Sequence, residues 1–263
     1  MVHCFFDICI SSSRDFSYSR YTAQKTSYER TAAILLENAT NYGLPNRPEE
    51  LNAEQREILQ RVSGGAPSSS SKGNWLSSAF SSLRRDKGSN LIFEPPHAPV
   101  VGRLVFSLYD EPDMKELRDN FVKLCTGELG MCKSAPKKLL WYKGVRIHRI
   151  VKDYIAQGGD VTRGDGTGGE SIYGGKFNSS PIALSVPPKF GSLALANAGP
   201  NTNTSQFFVV LSGAESQLAR IRGKYDVFGE VVDGWQVLEQ LNKVGTADGD
   251  VLCDVWVDDC GVY

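Results

Sequence analysis

The sequence predicts a mainly β architecture, a sheet closed on itself or stacked as a sandwich, with a mostly helical segment inserted near its start. Three observations lead there. After residue 100 the chain is a series of short apolar segments, most of them separated by turn residues. Only two amphipathic helices fall among those segments, so the alternation of strand and helix that builds a parallel sheet is missing. And the apolar run Phe5–Ile10 (FFDICI) reads as a strand, yet no partner follows it before GRLVFSLYD at Gly102–Asp110. A hairpin loop usually runs about 2–5 residues. The intervening chain is therefore an insertion at a hairpin tip, where extra length is tolerated at little entropic cost. This divides the chain into residues 1–10 and 101–263, which form the β body, and an insertion over 11–100.

Within the insertion, SYERTAAILLENATNYG places Ala32, Leu35, Leu36 and Ala39 at helical spacing and stops at Gly43. RPEELNAEQREILQRVSGG is a second helix with Leu51, Ile58, Leu59 and Val62 on one side, ended by Gly64 and Gly65. APSSSSKGN is a linker-like tract, and WLSSAFSSLRR puts Leu76, Phe80 and Leu83 on one helical face. FEPPHAPVV is a proline-stiffened extended stretch.

In the β body, GRLVFSLYD alternates Leu104, Phe106 and Leu108 against Val105, Ser107 and Tyr109. MKELRDNFVKLCTG is a helix whose Leu117, Phe121 and Leu124 share a face, with Gly127 after it. VRIHRIV, GSLALANA, SQFFVVLS, YDVFGEVV and VLCDVWVDDCGVY are strand candidates, and GWQVLEQLNKVGT is the second amphipathic helix.

Composition excludes several functions. The 263 residues carry Lys+Arg 29 against Asp+Glu 30, a net charge of −1. That leaves no overall positive field for nucleic acid or an anionic membrane surface. No apolar run approaches the ~20 residues of a membrane span, and the N-terminal strand, cut by Asp7, makes no signal peptide. The six cysteines form no CxxC pair and only three histidines are present, so no metal site is expected. Reduced, buried thiols and a cytoplasmic or other reducing intracellular location are the expectation.

Several motifs carry nothing. GDGTGGE fits G-x-G-x-x-G through Gly164, Gly166 and Gly169, but no helix follows it, so it reads as a glycine-rich loop and no dinucleotide or other cofactor is expected. Asn38-Ala-Thr40, Asn178-Ser-Ser180 and Asn203-Thr-Ser205 are chance glycosylation triplets, and Arg84, Arg85 and Lys87 form a solvated patch.

HRIVKDYIAQGGD and LANAGPNTNTSQFFVVL are more informative. They hold no Ser-His-Asp set and no carboxylate pair. They hold Arg149, the amides Gln157, Asn197 and Gln206, and the apolar or aromatic Tyr154, Ile155, Phe207 and Phe208. Such a set grips a peptide without attacking it, and an apolar slot edged by donors suits a proline ring and its neighbouring carbonyls. HRI, QGGD, TGGESIYGGKF, ANAGPNTNTSQFF and VFGEV occur in the order found in the cyclophilin family of peptidyl-prolyl isomerases, as do FFDI, GRLVF, LCTGE and the closing DCG. The chain resembles that family over Val2–Ile10 and from Gly102 onward, not over the insertion. The resemblance implies an eight-stranded antiparallel barrel capped by two helices, whose first hairpin carries the insert. It implies isomerisation of X-Pro bonds in proline-containing segments, in support of folding or assembly. Arg149 would be the catalytic donor, Gln157 would orient it, and Asn197 would bind substrate backbone beside Ala196. Tyr154, Ile155, Phe208 and Ile221 would line the proline pocket, with Gln206 and Tyr225 also at the substrate.

The departures from the family are specific. Tyr154 and Ile155 stand for its usual Phe and Met, Tyr225 for its His, and Lys152-Asp153 for its Pro-Gly. The tryptophan that helps bind cyclosporin has no counterpart, and Arg220 stands near its place, so weak cyclosporin binding is expected. GMCKSAPKKLLWYKG lengthens one loop, as in the divergent-loop members. Those carry a cysteine pair proposed as a redox switch, matching Cys125 and Cys260; the competing reading is two inert thiols. The acidic residue that contacts the loop is expected to be replaced, near Ser180. A second function stands beside the enzyme: a weak or inactive scaffold subunit, docked through residues 11–100 to a partner protein. Two short helices need their apolar faces covered, which motivates it.

Overall fold

The computed structural model describes residues 2–11, 17–64 and 91–263. The expected helix over WLSSAFSSLRR, the tract before it and the Arg84, Arg85 and Lys87 patch lie outside the described residues. The chain divides into two compact units, residues 1–18 with 98–263, and residues 19–97.

The first unit is an eight-stranded antiparallel sheet. Its strands are β1 (Val2–Ile10), β2 (Val100–Leu108), β3 (Ile147–Val151), β4 (Ile155–Gly158), β5 (Ser192–Leu195), β6 (Phe207–Val210), β7 (Val227–Asp233) and β8 (Val255–Val262). They lie in the order β3-β4-β6-β5-β7-β2-β1-β8. The outer strands meet through an Arg146–Trp256 bridge, and Gly144 N–H donates to the Val257 carbonyl at 2.7 Å, so the sheet nearly closes into a barrel. β1 does pair with β2: Phe6 faces Leu104 and Cys4 faces Phe106. On its other edge β1 pairs with β8, with Phe6 opposite Cys260.

Strand alternation fills the interior. Cys4, Phe6 and Ile8 from β1 and Leu104, Phe106 and Leu108 from β2 are buried in one core. Two helices from the sequence reading close it. The first, α3 in chain order (Lys115–Thr126), buries Leu117, Phe121 and Leu124 and ends where Gly127 takes φ 68°, its N–H donating to the Lys123 carbonyl. The other (Trp235–Lys243) buries Val237, Leu238 and Leu241. Phe121 is the hub of an aromatic cluster, with ring centroids of Phe6, Tyr142, Phe207 and Phe228 at 5.2–5.8 Å from its own or from each other. Edge-to-face pairs at this spacing add stability beyond the area they bury.

The second unit contains α1 (Tyr18–Tyr42, nearly all of it) and α2 (Ala53–Gly64). Leu35, Ala39, Leu44, Leu51 and Leu59 form its own core, joined by Ile34, Leu91 and Phe93. Two expectations need correction. Leu36 is 61% exposed, and the buried face of α1 instead runs through Thr31, Leu35 and Ala39. Thr31 tolerates burial because its hydroxyl is fully used, donating to the Ser27 carbonyl at 2.9 Å and accepting from Ile92 N–H at 3.1 Å. The second helix starts late, at Ala53, because Asn52 and Gln55 exchange side-chain-to-backbone hydrogen bonds as a reciprocal cap, at 2.9 and 3.0 Å. Residues 48–50 form a separate short turn of 3-10 helix.

Candidate active site

Most of the sequence-derived pocket residues gather in a second, smaller apolar cluster distinct from the barrel core. Tyr154, Ile155, Phe208 and Ile221 are buried there with Ala194, Val210 and Val227, and Ala196 and Tyr225 pack against them. β6 explains the division between its two phenylalanines. Successive side chains face opposite sides of the strand, so Phe207 enters the barrel core and Phe208 this cluster. The Tyr225 ring meets Phe208 edge-on, centroids 5.1 Å apart. Phe208 is only 2% exposed and Ile155 6%, so the apolar floor is largely covered, the Tyr225 ring lying against Phe208.

Strand register lines Arg149 up with this cluster, since its partner Gln157 in turn stands opposite Phe208. Arg149 is exposed on β3 and stands opposite Gln157 of β4 in register. Gln157 Nε2 donates to Gln206 Oε1 at 2.9 Å, and Gln206 Nε2 donates to the Gly166 and Gly168 carbonyls at 2.9 and 2.7 Å. The Gln206 carbonyl accepts from Ala196 N–H at 2.9 Å. The Asn197 side chain ties two loops together: Nδ2 donates to Asn203 Oδ1 at 3.4 Å within its own loop and to the Lys224 carbonyl at 3.3 Å in another, and Oδ1 accepts from Gly199 N–H at 3.2 Å. Lys152-Asp153 makes the turn into β4. Asp153 has φ 56°, and Asn242 holds it with two hydrogen bonds of 2.7 Å. That pairing offsets the strain of a left-handed non-glycine residue.

Sequence reasoning did not pick out Asp160, which organises the glycine-rich loop. This carboxylate is 2% exposed. Oδ1 accepts from Thr162 N–H, Thr162 Oγ1 and Arg163 N–H at 2.9–3.1 Å, and Oδ2 accepts from Gly166 and Gly168 N–H at 3.0 Å. Burial by itself raises its pKa. The hydrogen bonds from Arg163, Gly168, Thr162 and Gly166 outweigh that and bring it down to about 2. The loop therefore wraps a carboxylate rather than a phosphate. Gly166 is required in it: φ is 90°, and a Cβ would come within 2.6 Å of His148 Nε2. The ring of His148, the neighbour of Arg149, is pushed below the ordinary histidine pKa by burial, against the opposing pull of Asp160.

The lengthened loop has an acidic contact, but it is Glu170 and not a position near Ser180. The buried Glu170 carboxylate accepts from Lys133 and Ser134 N–H at 2.7 Å and from the Ser134 hydroxyl. Ser180 instead caps the short helix Pro181–Ser185, accepting from Ala183 N–H at 3.2 Å. The expectation failed because the glutamate within TGGESIYG lies far from the loop in sequence. A recess of about 340 Å³ opens between Lys133, Glu170, Gly174 and Lys176, with Thr167, Gly168 and Gly169 of the glycine-rich loop also lining it; none of the sequence-derived site residues lines it.

Cys125 and Cys260 both lie in the barrel core, where Cys260 Sγ donates to the Cys125 carbonyl at 3.4 Å. Burial pushes the Cys125 thiol well up, with a hydrogen bond to Cys4 adding to it, and pushes Cys260 up to about 12. Among the described residues, no three His, Cys, Asp or Glu side chains gather as a metal site, and no helix is long and apolar enough to cross a membrane. The model of one protein family, described as cyclophilin type peptidyl-prolyl cis-trans isomerase/CLD, matches residues 98–262.

Proposed function

Because the chain belongs to the cyclophilin family of peptidyl-prolyl cis-trans isomerases, we propose that it speeds rotation about X-Pro bonds, with Arg149 as the catalytic residue. The observation that carries this is the position of Arg149, exposed in register with Gln157, which itself stands opposite Phe208. The barrier to be lowered is about 18–20 kcal/mol, set by amide resonance. Twisting the bond localises the lone pair on the proline nitrogen and shifts charge on the carbonyl oxygen. A fixed, always-charged donor aimed at either group lowers the barrier with no covalent step. Tyr154, Ile155, Phe208 and Ile221 would hold the proline ring, while Gln206 and the Ala196–Asn197 main chain would hold the flanking backbone. Gln157, braced by Gln206, would orient Arg149. The proline ring needs Tyr225 to turn aside from Phe208, so a modest rate is part of this reading.

The physiological role would be assistance to folding or assembly inside the cell. A second reading is favoured by the separate core of residues 19–97. In it the barrel is a weak or inactive scaffold, and the inserted unit docks to a partner protein. The test is exchange NMR on an Ala-Pro peptide with the wild type and Arg149→Ala. Cis/trans exchange faster with the wild type and slowed about 100-fold or more by the substitution supports the enzyme. A folded wild type with no effect on exchange leaves the scaffold reading.

A further inference from the structure

We infer, building on the isomerase reading, that the site selects proline segments with an acidic side chain beside the proline, and that Arg220 is the residue that selects them. Arg220 lies over the ring of Tyr154, its guanidinium carbon 4.8 Å from the centroid. Tyr154 belongs to the apolar cluster that would receive the proline, so this cation stands at the cluster's rim. Arg149 stands at the same rim: both arginine charges act on the Tyr154 hydroxyl, lowering a pKa that burial raises.

Among the described residues neither Arg149 nor Arg220 forms an ion pair with a carboxylate, while the neighbouring Arg222 is tied to Glu215 at 2.6 Å. Arg220 bonds only weakly to a neutral group, Gln217 Oε1, at 3.2 Å. The acidic residues around the rim are otherwise placed. Asp153 is held by Asn242, and Asp248 and Asp250 flank Gly249, which abuts Arg149, without pairing to it. A guanidinium resting on an aromatic face is already oriented and partly stripped of water. Its edge donors beyond the one given to Gln217 can meet a carboxylate, which a guanidinium matches in two-pronged geometry. A peptide seated on Phe208 with Asp or Glu next to its proline would bring that carboxylate between the two arginines.

The test uses two matched series of short peptides, with Glu, Gln or Lys immediately before the proline in one and immediately after it in the other. The catalysed increment in exchange is measured by NMR for the wild type and Arg220→Gln, at low and high salt. In at least one series, kcat/KM for the Glu peptide should exceed that for Gln about threefold and that for Lys about tenfold at low salt, the size expected of a solvent-screened contact. The ratio should fall towards one in Arg220→Gln and at high salt. Because the readout is a ratio between peptides, a general loss of activity or folding in the variant does not mimic it. Catalysis of all peptides with no preference in either series would overturn this inference and leave the isomerase reading standing. If no peptide is isomerised, the isomerase reading fails instead, and the same peptides titrated against the Tyr154 and Tyr225 ring resonances decide the matter. Tighter binding of Glu than Lys, lost in Arg220→Gln, supports the selectivity; equal binding overturns it.

Discussion

Replacing Asp160 with Asn removes one negative charge and one acceptor from the centre of the glycine-rich loop while keeping the side chain's shape. Gly166 and Gly168 donate to one carboxylate oxygen and Thr162 and Arg163 to the other, so an amide nitrogen in either position faces two N–H donors. Each buried donor left without an acceptor costs about 1–3 kcal/mol, so the variant should lose about 2–6 kcal/mol. Linkage gives a consistent minimum. The folded carboxyl sits at about 2 against the 3.8 of an unperturbed aspartate, and at ~1.36 kcal/mol per pKa unit this is about 2 kcal/mol of stability. Because the folded pKa is depressed, that stability is fully present above about pH 4 and is lost as pH falls towards 2. Urea unfolding of both proteins at neutral pH and through the acid range measures it. The gap should be widest at neutral pH and narrow as the wild-type carboxyl is protonated. The substitution should also loosen the Gly166 and Gly168 carbonyls that hold Gln206, and thereby disturb Gln157. Equal stabilities at neutral pH, or parallel pH curves, would refute the role assigned to Asp160.

Three further outcomes are expected. Phe121→Ala empties the centre of the aromatic cluster and should destabilise the barrel by about 3–5 kcal/mol in urea unfolding. Glu170→Gln should increase amide hydrogen exchange at Lys133 and Ser134, because their N–H groups lose a charged acceptor; unchanged protection would mean the loop holds itself. Cys125 and Cys260, held as thiols by burial, should resist a thiol reagent at neutral pH in the native protein and react on unfolding. A Cys125–Cys260 link detected by non-reducing mass analysis after mild oxidation would reverse that expectation and favour the redox pair.

The barrel was legible where one periodicity acted alone. Alternation in β2 and the Leu117, Phe121, Leu124 spacing of α3 needed only one buried face each, and both are buried in the barrel core. β4 does not read as a strand in the sequence because Ile155–Gly158 (IAQG) ends in a glutamine and a glycine, whereas the equally short β5 and β6 are made mostly or wholly of apolar residues. Helical spacing cannot choose between the adjacent Leu35 and Leu36; the choice is made by Leu51 and Leu59, which lie elsewhere in the chain. Likewise the residues around Phe208 were readable as a set through the family's motifs. Asp160 and Glu170 were not, because their partners are mostly backbone N–H groups, which leave no mark in a sequence.

The position of β1 bears on how the barrel can assemble. Phe6 is flanked by Leu104 on one side and Cys260 on the other, so the strand's two neighbours come from distant stretches of chain. Both pairings close very long loops, and such topologies fold slowly because the entropy of closure precedes its reward. Until β8 arrives, one edge of β1 has unpaired backbone groups and its Cys4, Phe6 and Ile8 lack their full surroundings. During that interval the half-built sheet exposes apolar surface and an open edge, the two features that make folding intermediates prone to aggregate. Residues 19–97, whose core contacts are more local, have no such wait.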